Sequence, residues 1–479
     1  MIPYINIIAS KKYGLYFIGK HSRQAFGKKG ALIIDTIDKE QTSIINKSNN
    51  TLSNKIGAYR FINNERITTQ MLIQSLQGKC AENVKQRHVI CLQDTTEYNY
   101  QHHYKRIKKD SLGTIRNSID VGFLCHLMIC FDSISTIPLG IPYCRLWSRE
   151  PGRLDTYERK YKSLLIEEKE SYRWIESSDE TKTLLSEAAH ITFISDRESD
   201  IYEYWCRVPN ERTDLIIRSR TDRNLYDKSS TIYSTVENQN VSGSYFIKLK
   251  GDKRKKTTSR DVKLNIKFKE VKIRKPNLGK RKLTKDPDNI TLTIIQAKED
   301  NTTIKVNEEA VTWMLLTTHK VLNFEQATQI VKWYCFRWQI EQFFRITKKE
   351  GLAVEDIQIE TGEAIMKNML VCLPVALKIL SLTLTREGKN NDKADKYFET
   401  EEIEVLNIIN KTFPASTIKQ QNPFDENTLS WAGWIIARLG GYSGYKSQSP
   451  PGPITFKNGL DKLNHMVMGF RLAKDVYKE

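Results

Sequence analysis

Cysteine and histidine are scarce, eight of each in 479 residues, and neither falls into a ligand-like spacing. Cys80, Cys91, Cys125, Cys130, Cys144, Cys206, Cys335 and Cys372 form no CxxC pair, and several sit inside apolar runs. That pattern excludes a zinc-ribbon motif and fits reduced core thiols better than disulfides. No HxxxH pair occurs either, so a catalytic metal is expected to rest on carboxylates, with zinc neither present nor needed. Long hydrophobic runs are missing too. The most apolar stretch, Met369 to Leu384, is short of a membrane span and contains Pro374 and Lys378. It reads as a buried helix interrupted at those residues. Met1-Ile2-Pro3-Tyr4-Ile5 lacks a basic region leading into an apolar core, so no export signal is expected and the cytoplasm is the expected compartment. Internal repeats and low-complexity tracts are absent.

What the chain does have is positive charge. Seventy-five Lys and Arg against 57 Asp and Glu give +18, a field that attracts phosphate backbones or anionic lipid. A basic face that is merely solvated is the plainer alternative. With 39% hydrophobic and 28% charged residues, the composition is that of a folded protein and excludes global disorder.

Residues 1–75 read as a small helical region, with apolar clusters at Ala31 to Ile34 with Ile37, at Ile44-Ile45, and at Gly57 to Ile62. From about residue 86 short apolar runs take over. His88 to Gln93 ends in Asp94, Val121 to Cys130 follows, and Thr136 to Trp147, with Pro138 and Pro142, reads as an edge strand. Tyr172 to Ala189 reads as helix. Ile191 to Ser195 is a buried strand ending in Asp196, Ile201 to Val208 a helix, and Asp214 to Arg218 a strand. This order predicts an α/β fold, a mixed sheet with flanking helices. Residues about 222–310 break the rhythm. Phe246 to Lys250 and Leu264 to Ile273 alternate with period two, and lysine fills most polar positions. Together with Lys253-Arg254-Lys255-Lys256 and Lys280-Arg281-Lys282 this predicts an inserted β region with a basic face. Val311 to Leu316 returns to core texture, one long helix is predicted over 324–349, and the remainder reads as helical. The expected domains are 1–75, 76–384 with the β insertion, and 385–479.

The segment Tyr334 to Lys348 is the most informative. At about 100° per residue, Tyr334, Arg337, Glu341, Arg345 and Lys348 fall within roughly 80° of arc, while Phe336, Ile340, Phe343 and Ile346 point elsewhere. A phenol, three cations and one carboxylate therefore share a face. On a lone helix such a face is ordinarily solvated, with i,i+4 pairing of Glu341 to Arg345 or Arg337. Taken alone, Asp94 and Asp196 are turn or capping residues, and Asp196 before Arg197-Glu198-Ser199 suits an N-cap. As a trio, however, Asp94, Asp196 and Glu341 supply what two-metal phosphodiester chemistry needs: carboxylates from separate elements around Mg²⁺, a hard ion that prefers oxygen. Mn²⁺ can substitute. Arg337 and Lys348 are suited to hold phosphates beside such a centre.

Tyr334, Arg337, Glu341 and Lys348, at spacings of three, four and seven, resemble the signature of the insertion-sequence-four family of bacterial transposases. Gln93-Asp94-Thr95-Thr96 and Asp196-Arg197-Glu198-Ser199-Asp200-Ile201 resemble its two acidic motifs. Trp313 to Thr318 resembles the strand before its signature helix, Gly57 to Phe61 its N-terminal motif, and Ile435 to Tyr442 its C-terminal one. The resemblance runs from about residue 55 to 476. It implies an RNase H-like catalytic core with a β-rich insertion, an N-terminal end-binding region and a helical C-terminal dimerisation region. It implies Asp94, Asp196 and Glu341 as metal-binding acids, and double-stranded DNA, both transposon ends and target, as partner of a homodimer near the bacterial nucleoid. Tyr334, Arg337, Lys348 and Arg345 are expected at DNA, as are Arg218, Arg220 and the cluster Lys253, Arg254, Lys255 and Lys256. Trp313 falls where the family stacks an aromatic on a flipped-out base; a core tryptophan would look the same. Trp431, Trp434, Ile435 and Leu439 suit either a dimer interface or a core. One departure is plain. Gly27 to Leu32 lacks the Asp and Arg that the family carries there, and no tryptophan precedes Trp147, which implies altered end recognition. Two other readings share most of these features: a catalytically inactive DNA-binding repressor derived from a transposase, and a general nuclease of the same fold.

Overall fold

A computed structural model describes residues 23–48, 51–152, 164–249, 259–276, 286–305, 308–348, 350–386, 388, 392–413, 420–445 and 448–476. The helical N-terminal part comprises α1 (Arg23–Glu40), α2 (Ile45–Ser48), α3 (Leu52–Ile62) and α4 (Thr69–Asn83). Thr51 and Thr68 cap α3 and α4 by accepting from the backbone N–H three residues on, which satisfies donors the first turn leaves unpaired. Then come β1 (His88–Asn99), β2 (Gly122–Asp132), β3 (Pro138–Trp147), α5 (Arg173–Leu184), β4 (His190–Ser195), α6 (Tyr202–Arg207), β5 (Thr213–Arg218) and α7 (Ile232–Glu237). The β insertion supplies β6 (Gly243–Leu249), β7 (Arg260–Arg274) and β8 (Asn289–Glu299), and β9 (Thr312–Thr317) follows. The chain ends in helices α8 (Phe324–Phe336), α9 (Trp338–Thr347), α10 (Gly362–Thr385), α11 (Thr400–Thr412), α12 (Leu429–Leu439) and α13 (Pro453–Val476).

The fold is mixed α/β. Nine strands pair in the order β3-β2-β1-β4-β5-β9-β8-β7-β6. β1, β4 and β5 are mutually parallel, whereas β2–β3 and the run from β5 through β9, β8, β7 and β6 are antiparallel. Two compact units share the chain. One holds residues 1–85, 95–153 and 339–479; the other holds 86–94 and 154–338.

In the first unit, β2 is buried at all eleven positions, which is why it reads as an unbroken apolar run. β3 is the edge strand expected from its prolines. α10 organises the helices: α1, α3, α4, α12 and α13 all pack on it. It is longer than the sequence predicts and is not interrupted at Pro374. A mid-helix proline costs about 3 kcal/mol, and burial along nearly the whole helix offsets that. Lys378 is no interruption either, because its ammonium meets Asp38 at 2.9 Å inside the core. Among the described residues α10 alone is long and apolar enough to cross a membrane, and 83% of its most apolar window is buried inside the chain. Trp431, Trp434, Ile435 and Leu439 are buried on α12, so these four side chains are core and not an exposed apolar surface.

In the second unit, α8 packs on β4, β5 and β7, and α7 lies against β7 and β8. The lysine-interleaved alternation of β7 is realised: Val262, Leu264 and Ile266 are buried while Lys269, Lys272 and Arg274 are exposed. Lys253, Arg254, Lys255, Lys256 and Lys280 to Lys282 lie outside the described residues. Ion pairs close the far end of the insertion, where Arg260 and Glu299 face each other across β7 and β8 with both side chains buried.

Candidate active site

Asp94 and Asp196 sit side by side on neighbouring strands of the second unit. β1 and β4 pair in parallel from His88↔His190 to Leu92↔Ile194. That ladder ends two residues short of Asp94 and Asp196, so both acids lie just past the last paired residues, at the same end of the two strands. Asp196 ends its strand as expected. Asp94 does not, because β1 continues through Thr95-Thr96-Glu97-Tyr98-Asn99. Threonine and tyrosine suit a pleated strand even where the apolar run has stopped, so the acid marks a change of burial and not the strand end. Asp196 precedes the short 3-10 turn Arg197–Ser199, but its side chain makes no capping hydrogen bond. Its carboxylate is therefore left for other work.

Helix α8 reaches both acids. Arg337 Nη1 contacts Asp94 Oδ2 at 3.2 Å, with the two side chains 11% and 26% exposed. One turn earlier, the Tyr334 hydroxyl donates to Asp196 Oδ1 at 3.3 Å. Burial is the main reason the Tyr334 phenol is pushed up to about 12, and the nearby Asp196 carboxylate adds to it, against opposing contributions from Arg337 and Arg218. Tyr334 therefore remains a proton donor at any working pH. The Trp313 ring on β9 stands 6.4 Å from the Tyr334 ring, edge to face. It is only half-buried, so it is neither sealed core nor a free surface ring. Arg218 is half-buried and Arg220 exposed.

The long helix expected over 324–349 is two helices. Arg337 donates its backbone N–H to the Tyr334 carbonyl, a three-residue closure that tightens the chain between α8 and α9. The continuous polar stripe is thus interrupted after its second member. Glu341, half-buried, Arg345 and Lys348 belong to the first unit. There Arg345 pairs with Glu350, its Nε donating at 2.7 Å. The Lys348 ammonium lies 5.6 Å from the ring centroid of Tyr98, whose hydroxyl is 2.7 Å from Thr347 Oγ1. Ile340, Phe343 and Ile346 are fully buried, as the wheel predicts; Phe336 is only half-buried.

Two motif residues to which the sequence assigned no role prove to be supporting groups. Gln93, next to Asp94, is buried. Its amide donates to the Tyr204 and Ser178 hydroxyls, and its carbonyl accepts from Ser177. That network ties β1 to α5 and α6 and fixes the strand that carries Asp94. Besides its place in the first acidic motif, its signal is a glutamine within an apolar strand. Behind Asp196, the side chain of Asp200 is fully buried and takes hydrogen bonds from Arg223 at 2.7 Å, the Arg220 backbone N–H at 2.8 Å and Trp205 Nε1 at 3.0 Å. It pins the segment after β5, which carries Arg220, to the turn that carries Asp196. Arg223→Met leaves Asp200 two of its three donors, so the expected cost is about 2 kcal/mol, that of a hydrogen bond to a charged group. The urea midpoint should fall and cleavage by a limiting protease should appear within 219–224. An unchanged proteolysis pattern would mean that this pair does not hold the segment.

The donor set fits magnesium. Asp94 and Asp196 offer hard carboxylate oxygens, partly exposed, on adjacent rigid strands.

No family model matches the chain. A solved structure described as a piggyBac transposase synaptic complex with hairpin DNA aligns with it at 9% identity and a TM-score of 0.36, covering 95% of this chain and 73% of that one.

Proposed function

We propose that the chain is a cut-and-paste DNA transposase of the insertion-sequence-four type with an RNase H-like core, its motifs resembling those of the transposon-five transposase. The observation that carries this reading is that Asp94 and Asp196 lie just past the last paired residues of parallel β1 and β4, with Arg337 and Tyr334 each contacting one of the two acids. Asp94, Asp196 and Glu341 would hold Mg²⁺, which makes a water or a 3′-hydroxyl nucleophilic and stabilises the leaving oxygen. Arg337 and Tyr334 are donors set beside the acids. When a phosphodiester arrives they exchange carboxylate contacts for phosphate oxygens, so the scissile group is oriented by groups already in place. Trp313, half-buried beside Tyr334, is positioned to receive an unstacked base. The proposed sequence of reactions is nicking to free a 3′-hydroxyl, its attack on the opposite strand to form a hairpin, opening of the hairpin by water, and strand transfer to target DNA.

The test is cleavage and joining of a duplex carrying the element's own terminal repeats. Mg²⁺ or Mn²⁺ should support the reaction, and Ca²⁺ should support assembly without turnover, since it accepts looser coordination. Binding without cleavage in every one of these ions would leave a DNA-binding repressor. Cutting without end preference or joining would make the protein a general nuclease.

Two ends must meet in one event, so a homodimer is the proposed active form. With the α12 tryptophans buried, the apolar residues that α13 leaves exposed are the surface to test: Met468, Leu472 and Val476, at 52%, 62% and 69% exposure and spaced four apart. Leu472→Asp should leave single-end binding intact and abolish the two-end complex in sedimentation with two end fragments. A two-end complex that still forms would clear this face of any role.

A further inference from the structure

The histidines that show no ligand spacing along the chain converge at the other end of the same strands. His190 opens β4, Asp214 is the second residue of β5, and His319 follows β9. Because β9 runs antiparallel to β5, its C-terminal end lies beside the strand starts. His190 Nε2 is 2.9 Å from Asp214 Oδ2, and His319 Nδ1 is 3.2 Å from the same oxygen. One ligand atom from each residue lies within 4.8 Å of the others. All three belong to the second unit. Asp196 lies six positions along the chain from His190, roughly 20 Å along the strand, so this cluster is distinct from the two aspartates.

The structure assigns these three residues, His190, Asp214 and His319, to a zinc-class divalent metal site that ties β4, β5 and the end of β9 together. Two imidazoles with one carboxylate is a donor set for zinc and unsuited to magnesium. The outer contacts are those a ligated set requires. His319 Nε2 lies 3.0 Å from Thr192 Oγ1, so with its proton on Nε2 it donates there and turns the Nδ1 lone pair inward. Thr192 Oγ1 is in turn 2.9 Å from His88 Nε2. The Thr318 hydroxyl donates to the other Asp214 oxygen at 2.6 Å. Trp333 closes the wall, its ring centroid 5.7 Å from that of His319 and 5.2 Å from that of His88. Its buried indole N–H has no hydrogen-bond partner among the described residues. This assignment departs from the zinc-free expectation drawn from spacing alone and leaves the carboxylate site untouched.

The test needs neither DNA nor turnover, so it stands or falls apart from the transposase reading. Full-length protein is stripped with a chelator, loaded with Zn²⁺ and gel-filtered, and its metal content is measured. One zinc per chain is expected, with loss of that zinc in His190→Ala and in His319→Ala at unchanged far-ultraviolet circular dichroism. A wild-type chain that retains no zinc, or zinc that survives both substitutions, overturns the assignment. Should the variants fail to fold, X-ray absorption at the zinc edge of the wild-type protein decides. Two imidazole ligands support the site, and a shell of oxygen or sulfur alone refutes it.

Discussion

Asp196→Ala should reduce strand cleavage on the order of 10³-fold or more, since a lost ligand removes several kcal/mol of charge stabilisation from the reacting phosphate. Affinity for uncut DNA should stay near wild type. Asp94→Ala and Glu341→Ala are expected to behave alike. The separation follows from the proposed division of labour, in which a net charge of +18 gives affinity through phosphate contacts and counterion release, independent of any single acid. Asp94→Ala also removes one negative charge and its contact with Arg337 at 3.2 Å. With one repulsive charge fewer, this variant should bind DNA no worse than wild type. Measured in Mg²⁺ on an end-containing duplex, wild-type nicking by any one of the three variants would remove that residue from the site.

A second large effect lies far from the chemistry in sequence and concerns stability alone. Lys378→Ala leaves Asp38 charged and buried: its side chain is fully enclosed, the lysine is 4% exposed, and the two meet at 2.9 Å. Breaking such a pair from one side costs about 3–5 kcal/mol. Replacing both partners, as in Asp38→Leu with Lys378→Met, should recover most of that loss. Asp38 also caps a local network: its backbone carbonyl accepts from Gln41 Nε2 at 2.6 Å and Asn464 Nδ2 at 2.8 Å, contacts that survive either substitution. Chemical denaturation of the three proteins decides the matter. A Lys378→Ala protein as stable as wild type would show that the buried Asp38 carboxylate does not depend on the lysine ammonium.

How much of this was readable beforehand depends on the range of the interaction. β2 and β4 announce themselves because strands buried on both faces need unbroken apolar runs. The β7 alternation is legible because one face must be apolar and the other wet. β8 passes unnoticed in Asn289 to Glu299, although it fills the place between β7 and β9. The acids Asp94 and Asp196 were legible as candidates, but their common place just past the β1–β4 ladder was not, since register between strands a hundred residues apart leaves no local trace. The same applies to His190, Asp214 and His319, drawn from three separate strand ends. Local rules also misled where packing overrode them. Proline 374 reads as a break, yet the helix it sits in is buried along most of its length. The α12 tryptophans read equally as surface or core until their neighbours on α10 and α13 are known.

The interleaving of the two units has a consequence for how the protein is made. The second unit is complete once residue 338 has emerged, whereas the first draws on 1–85 and 95–153 and then waits for 339–479. At ribosomal speeds of about 5–20 residues per second, those last 141 residues occupy roughly 7–28 s. During that interval the faces of α1, α3, α4 and β3 that pack on α10 are without their cover. A nascent chain in this state exposes apolar surface that a chaperone would recognise. Synthesis rate and chaperone supply, more than final stability, should therefore set how much of the protein reaches its native state.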